Sequence, residues 1–185
     1  MKLYHGSHIE VKNPKILSSS RVGDFGRGFY TTSSLEQARR WAQIRAKQED
    51  QPFGVVTVFD VPDHLFAHPE LQIKSFETAN EVWLDFVLAN RKDVDFEHEF
   101  DLVRGPVAND RVYVCLNMLE DGLADRETVI KKLKTYVLAD QILFHTPNLC
   151  CFWNTLPRRK FYASNAKKPL QPDSAQSGKN HLFAA

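Results

Sequence analysis

The sequence predicts an α+β domain, and three observations predict it. Strand-like and helix-like segments are interspersed without a regular βαβ rhythm and without a repeat of fixed period. Apolar residues make up 43% of the chain and aromatic residues 11%, with thirteen Phe and three Trp, enough for a packed core. A length of 185 residues suits one domain with a sizeable core better than two, so the reading is a domain over residues 1–156 and a basic, partly disordered tail over 157–185.

Each element has its own signal. Lys2 to His5 reads as a short strand entering Gly6, and Ser18 to Phe25 as a polar loop of the kind that carries ligands. Ser34 and Gln37 form a capping box for a helix over 35–48, with Leu35, Ala38, Trp41, Ala42 and Arg45 at helical spacing. Gly54 to Val61, rich in β-branched residues and closed by Pro62, is the clearest strand and is expected at the centre of a sheet. Thr78 with Glu81 opens a second helix that ends near Arg91 and turns Val82, Trp83, Phe86, Val87 and Asn90 to the core. Phe100 to Val103 reads as a strand stopped by Arg104-Gly105-Pro106. Residues 110–119 fit helix or strand, and helix is the preferred reading. Asp125 caps a helix through Val129, Ile130, Leu133 and Tyr136, and Gln141 to Thr146 is a strand ended by Pro147.

Charge is unevenly spread. Residues 157–185 hold six Lys/Arg and one Asp, which leaves 18 Lys/Arg against 22 Asp/Glu, or −4, in the body. The tail bases Arg158, Arg159, Lys160, Lys167 and Lys168 lie near Phe161 and Tyr162, a mixture that fits nucleic-acid contact and that solubility explains as well. Three cysteines, Cys115, Cys150 and Cys151, give an odd count with two adjacent, which suits reduced thiols in a cytoplasmic protein. The first residues form no apolar signal region, and no run approaches the roughly 20 apolar residues that span a bilayer, so no membrane partner is expected.

Several motifs have bland readings. Asp24-Phe25-Gly26 lacks the other signatures of a kinase, and glycines at 23, 26 and 28 match neither a dinucleotide fingerprint nor a phosphate loop. His5 with His8 and His64 with His68 lack the third ligand of a zinc site, so no metal is expected. The run Asp93, Asp95, Glu97, Glu99 and Asp101 reads as a solvated acidic face.

Leu3-Tyr4-His5-Gly6, Gly26-Arg27-Gly28-Phe29-Tyr30-Thr31-Thr32 and Asp140-Gln141-Ile142-Leu143-Phe144 resemble, in order and rough spacing, the three motifs of poly(ADP-ribose) polymerase-like transferases. Over about residues 2–153 the chain is similar to an uncharacterised bacterial family of that superfamily. The resemblance implies a split mixed β-sheet core with flanking helices and NAD as the substrate. It places His5 on the nicotinamide ribose, the Gly6 main chain on the carboxamide and the Tyr30 ring against nicotinamide, with Ser7, Arg27, Gly28, Phe29 and Thr31 beside them. Trp41, eleven residues after Tyr30, fits a second sandwiching aromatic and fits an amphipathic core face slightly better. Gln141 stands where many such transferases have Glu, and an amide hydrogen-bonds a ribose hydroxyl without acting as a base. Polymer elongation is therefore not expected, while single-unit transfer to a protein or nucleic acid, NAD hydrolysis, and binding without turnover stay open. A toxin or defence setting with a neutralising protein partner is implied by the resemblance alone.

Overall fold

The computed structural model describes residues 1–16, 23–93, 96–108, 110–146, 149 and 154–162. In chain order the elements are β1 (Lys2–Ser7), β2 (Phe29–Thr31), α1 (Leu35–Gln48), β3 (Phe53–Asp60), β4 (Ile73–Ser75), α2 (Glu81–Lys92), β5 (Leu102–Pro106), α3 (Asp110–Glu120), α4 (Arg126–Leu133), β6 (Asp140–Phe144) and β7 (Asn154–Tyr162). A 3₁₀ turn, Asp63–Ala67, follows β3. The class is α+β.

Two sheets form. In the first, β3 is central between β1 and β7, all antiparallel, with Leu3 opposite Phe59 and His5 opposite Thr57. In the second the order is β2-β6-β5-β4, with β4 parallel to β5 and the other pairs antiparallel. Their inner faces share one core: Leu3 and Phe59 from the first sheet meet Phe29, Leu102, Ile142 and Phe144 from the second. Because side chains alternate along a strand, Val103 and Leu143 point to the other side, where α2, α3 and α4 cover them with Trp83, Leu84, Val87, Leu116, Val129 and Leu133. Helix α1 covers the outer face of the first sheet through Ala38 and Ala42 against Val56.

Local chemistry explains most boundaries. Ser34 Oγ accepts from Gln37 N at 3.2 Å, as its position predicts, although Ser34 N donates to Thr32 Oγ1 rather than to the side chain of a capping box. The buried stripe of α1 is Ala38, Ala42 and Ala46, and Trp41 lies off it with 46% exposure, against the expected core face. Asn80 caps α2 by accepting from Trp83 N at 2.9 Å, which corrects the expected Thr78 cap. The helix starts two residues later than that cap implies, and its buried face takes Leu84 and Leu88 while Val82 is exposed. Asp125 caps α4 as expected, and residues 110–120 are helical. Strand β5 continues through Arg104-Gly105-Pro106, since Pro106 ends the strand and its missing N–H interrupts nothing beyond it.

The expected start of a tail at residue 157 falls inside β7. Val58 pairs with Leu156 and Val56 with Arg159, so two residues, Pro157 and Arg158, oppose Thr57 in a bulge. An edge strand at a bulge is where a sheet tolerates proline, so β7 continues past Pro157. The expected loop from Ser18, Cys150, Cys151 and the chain after Tyr162 lie largely or wholly outside the described residues.

Candidate active site

The two sheets touch along a short seam between β1 and β2. Tyr4 and Thr32 exchange main-chain hydrogen bonds in both directions, at 2.9 and 3.0 Å. The next antiparallel pair along this seam would be Gly6 with Tyr30. In its place the His5 ring crosses the gap, its Nδ1–H donating to the Tyr30 carbonyl at 2.8 Å. Main-chain groups point to the same side at every second residue of a strand. Gly6, two residues after Tyr4, therefore directs its N–H and C=O into the opening rather than toward β3.

A carbonyl only accepts, so the hydrogen sits on Nδ1 and Nε2 of the neutral His5 ring is an acceptor. Burial holds the His5 pKa below its usual value; Arg45 acts in the same direction, and the Tyr30 carbonyl acts against both. The ring also lies 4.4 Å from Phe29, centroid to centroid, and Phe29 meets Phe59 edge-on at 5.7 Å. Gly6 has a second constraint: a Cβ there would fall 2.1 Å from the Ala38 carbonyl oxygen and 2.8 Å from Ala42 N. Glycine thus seats α1 directly on β1 while presenting its main chain to the seam.

Tyr30 occupies the opposite face of β2 from Phe29 and Thr31. Its hydroxyl donates to Gly26 O at 2.6 Å and accepts from Phe25 N at 3.1 Å, pinning a tight turn in which Gly23 and Gly26 bond each other. The hydroxyl is therefore engaged within the protein, and burial pushes its pKa up. Gly26 has φ of +98°, and a Cβ would meet Asn90 Oδ1 at 2.9 Å, so glycine is required there. Two histidines brace the same turn: His98 Nε2 with the Phe25 carbonyl at 2.8 Å, and His145 Nδ1 with the Arg27 carbonyl at 2.7 Å.

Gln141, the second residue of β6, lies on the same face as Tyr30, because Tyr30 pairs with Leu143 and Gln141 is two residues earlier. Its Nε2 donates to Asp24 Oδ2 at 3.0 Å. Asp24 also accepts from Ala108 N at 3.1 Å and from Tyr113 Oη at 3.0 Å, and is only 6% exposed. Burial raises its pKa, opposed by those three donors and by the charge of Arg91. Sequence reasoning passed over Asp24 as part of a spurious kinase triplet; the available signal was a lone carboxylate between glycines and apolar residues, Val22-Gly23-Asp24-Phe25-Gly26. Beside Gln141, Asp140 Oδ1 accepts from Thr32 Oγ1, Ser33 N and Ser33 Oγ at 2.8 to 3.0 Å, tying the end of β2 to the start of β6.

The predicted residues thus divide between two faces, and His5 meets Tyr30 through the latter's carbonyl rather than its ring. His5 comes from the inner layer; Tyr30 and Gln141 lie on the outer face, held by the Gly23–Gly26 turn. Phe29 is core, Thr31 Oγ1 donates to the Ile142 carbonyl at 3.2 Å, and Gly28 lies against Leu143 and the Phe144 carbonyl. Arg27 is exposed and Ser7 half-buried at the end of β1. An apolar cleft of about 390 Å³ lies beside β4, lined in part by Phe76, Phe86, Phe96 and Phe100, and His98, which braces the Phe25 carbonyl, also lines it. Among the described residues no group of three or more His, Cys, Asp or Glu is placed to hold a metal, and no helix is long and apolar enough to cross a membrane.

The fold is that of an α+β protein whose two sheets share a core and touch at the His5–Tyr30 seam. A family model described as a protein of unknown function, DUF3990, matches residues 1–152, and the chain belongs to that family. No curated protein and no solved structure matches it.

Proposed function

We propose that this chain is an NAD-dependent mono-ADP-ribosyltransferase of the poly(ADP-ribose) polymerase-like superfamily, a bacterial toxin or defence effector of the cytoplasm that modifies a protein or nucleic acid. The observation that carries the reading is the opening of the seam after Tyr4–Thr32, into which Gly6 turns a main-chain donor and acceptor pair beside the anchored His5 ring. A carboxamide is matched by such a pair, and the neutral His5 Nε2 accepts from a ribose hydroxyl. With NAD in place, the bond from ribose C1′ to nicotinamide breaks and its electron pair leaves with nicotinamide. An acceptor nucleophile then bonds C1′ from the open face and loses its proton to solvent. Positioning supplies most of the catalysis in such a step, and the amide of Gln141 fits single transfer rather than elongation.

Nicotinamide release from NAD by the purified chain, together with labelling of a lysate by tagged NAD under protease and nuclease controls, tests the reading. His5→Ala is expected to abolish release. Release without labelling identifies an NAD glycohydrolase. A parent chain that neither binds nor consumes NAD overturns the proposal in favour of a binding module, a reading supported by the amide at 141 and the internally engaged Tyr30 hydroxyl.

A further inference from the structure

A carboxylate has no proton to give, so the partner it takes from a carboxamide must be the NH₂ end. Asp24 is such a fixed acceptor. Its Oδ2 takes Gln141 Nε2 and Ala108 N, and its Oδ1 takes Tyr113 Oη. The donors come from β6, the segment after β5, and α3, so the carboxylate is fixed from three directions. Gln141 is 8% exposed, and its Oε1 has no hydrogen-bond partner among the described residues. We propose that Asp24 is the positioning residue of the site: by holding Nε2 of Gln141 inward it leaves Oε1 as the end offered to a ligand, so this position accepts a hydrogen bond from a sugar hydroxyl such as a ribose diol. The proposal rests on the NAD reading for its ligand, but not for the orientation of the amide.

The charged and titratable groups around Asp24 are Tyr113 on α3, Tyr30 on β2 and Arg91 on α2, the last stacked on the Tyr113 ring at 4.2 Å. Gln141→Glu would set a second carboxylate within hydrogen-bond distance of the first, and two carboxylates sharing a site cannot both ionise. One then keeps its proton well above the unfolded value. The native state binds more protons than the unfolded chain, so stability is present at low pH and lost as pH rises.

The test has one arm without NAD and one with it. Thermal unfolding of Gln141→Glu is measured from pH 5 to pH 8, where the melting temperature is expected to fall with pH more steeply than in the parent. Adding Asp24→Asn is expected to remove most of that extra slope. A Gln141→Glu profile parallel to the parent's overturns the orientation. In the second arm, Asp24→Ala is expected to lose roughly ten- to a hundredfold in kcat/KM for nicotinamide release. Asp24→Asn, whose Oδ1 still accepts from Ala108 N and Gln141 Nε2, is expected to stay within roughly threefold of the parent. If Asp24→Ala fails to fold, Asp24→Asn decides alone, and its loss of activity overturns the proposal, as does parental turnover by a folded Asp24→Ala. No nicotinamide release from the parent defeats the NAD reading, while the pH arm still decides the orientation.

Discussion

Helix α1 meets its sheet through Ala38 and Ala42 set over Gly6 and Gly54, whereas α2, α3 and α4 meet theirs through Trp83, Leu84, Leu116 and Leu133. The first contact brings backbone against backbone and buries little side chain. The second buries large side chains, each stabilising by about 1.5 to 3 kcal/mol. One half of the molecule accepts no added carbon, and the other accepts no missing one. Gly6, on the β1 side of the seam, belongs to the first contact, so it answers to packing as well as to any ligand.

Ending the chain after residue 156 is the largest perturbation of this contrast, because it removes six of the nine residues of β7, from 157 to 162, and bares the central strand β3. Loss of cooperative unfolding, read by circular dichroism, is expected, and a truncated chain that melts like the parent would show β7 to be dispensable. Trp83→Ala, in the side-chain-rich half, should cost about 3 to 5 kcal/mol, since it leaves a cavity and frees the Pro106 carbonyl that Nε1 now holds at 3.1 Å. Gly54→Ala adds one methyl 2.2 Å from the Ala42 carbonyl oxygen and should cost about 1 to 3 kcal/mol in denaturant unfolding. A neutral outcome would mean that α1 shifts freely.

Acid should sharpen the contrast further. Burial lowers the pKa of His5 and, less completely enclosed, of His98. Below the ordinary value of about 6.5 the unfolded chain takes up protons that the native chain refuses, so stability falls as pH drops. For His5 the slope is bounded at about 1.4 kcal/mol per pH unit. His5→Asn is expected to flatten the dependence of the melting temperature between pH 7 and pH 5 more than His98→Asn does; equal flattening would deny the difference in burial. Trp41→Ala is the smallest change, within about 0.5 kcal/mol, because the ring stands off the alanine stripe with 46% exposure. A loss of NAD binding by this stable variant would assign Trp41 to the ligand rather than to the core.

Local signals were readable where local chemistry decides. Ser34 and Asp125 mark helix starts, and the β-branched run before Pro62 marks β3. Trp41 misled because a periodicity weighted by hydrophobicity ranks a tryptophan above alanines, while close helix-to-sheet packing selects the small residue. Pro157 and the Arg104-Gly105-Pro106 string read as breakers, yet edge positions and strand ends absorb proline at little cost. His5, Tyr30 and Gln141 were legible as motif members. Asp24 was not, because its partners Ala108, Tyr113 and Gln141 are brought to it only by the folded chain.

The strand order also bears on synthesis. Among the described residues, strand β2, which carries Tyr30, is paired along its length with β6, and the second edge of β3, which supports β1, is filled by β7. Contacts between distant parts of the sequence form late, because the chain between them must first be closed into a loop. A ribosome-bound chain that stops short of β6 has His5 and Tyr30 but lacks Gln141, and no sheet holds its β2 against β1. Assembly of the site therefore waits until β6 and β7 dock.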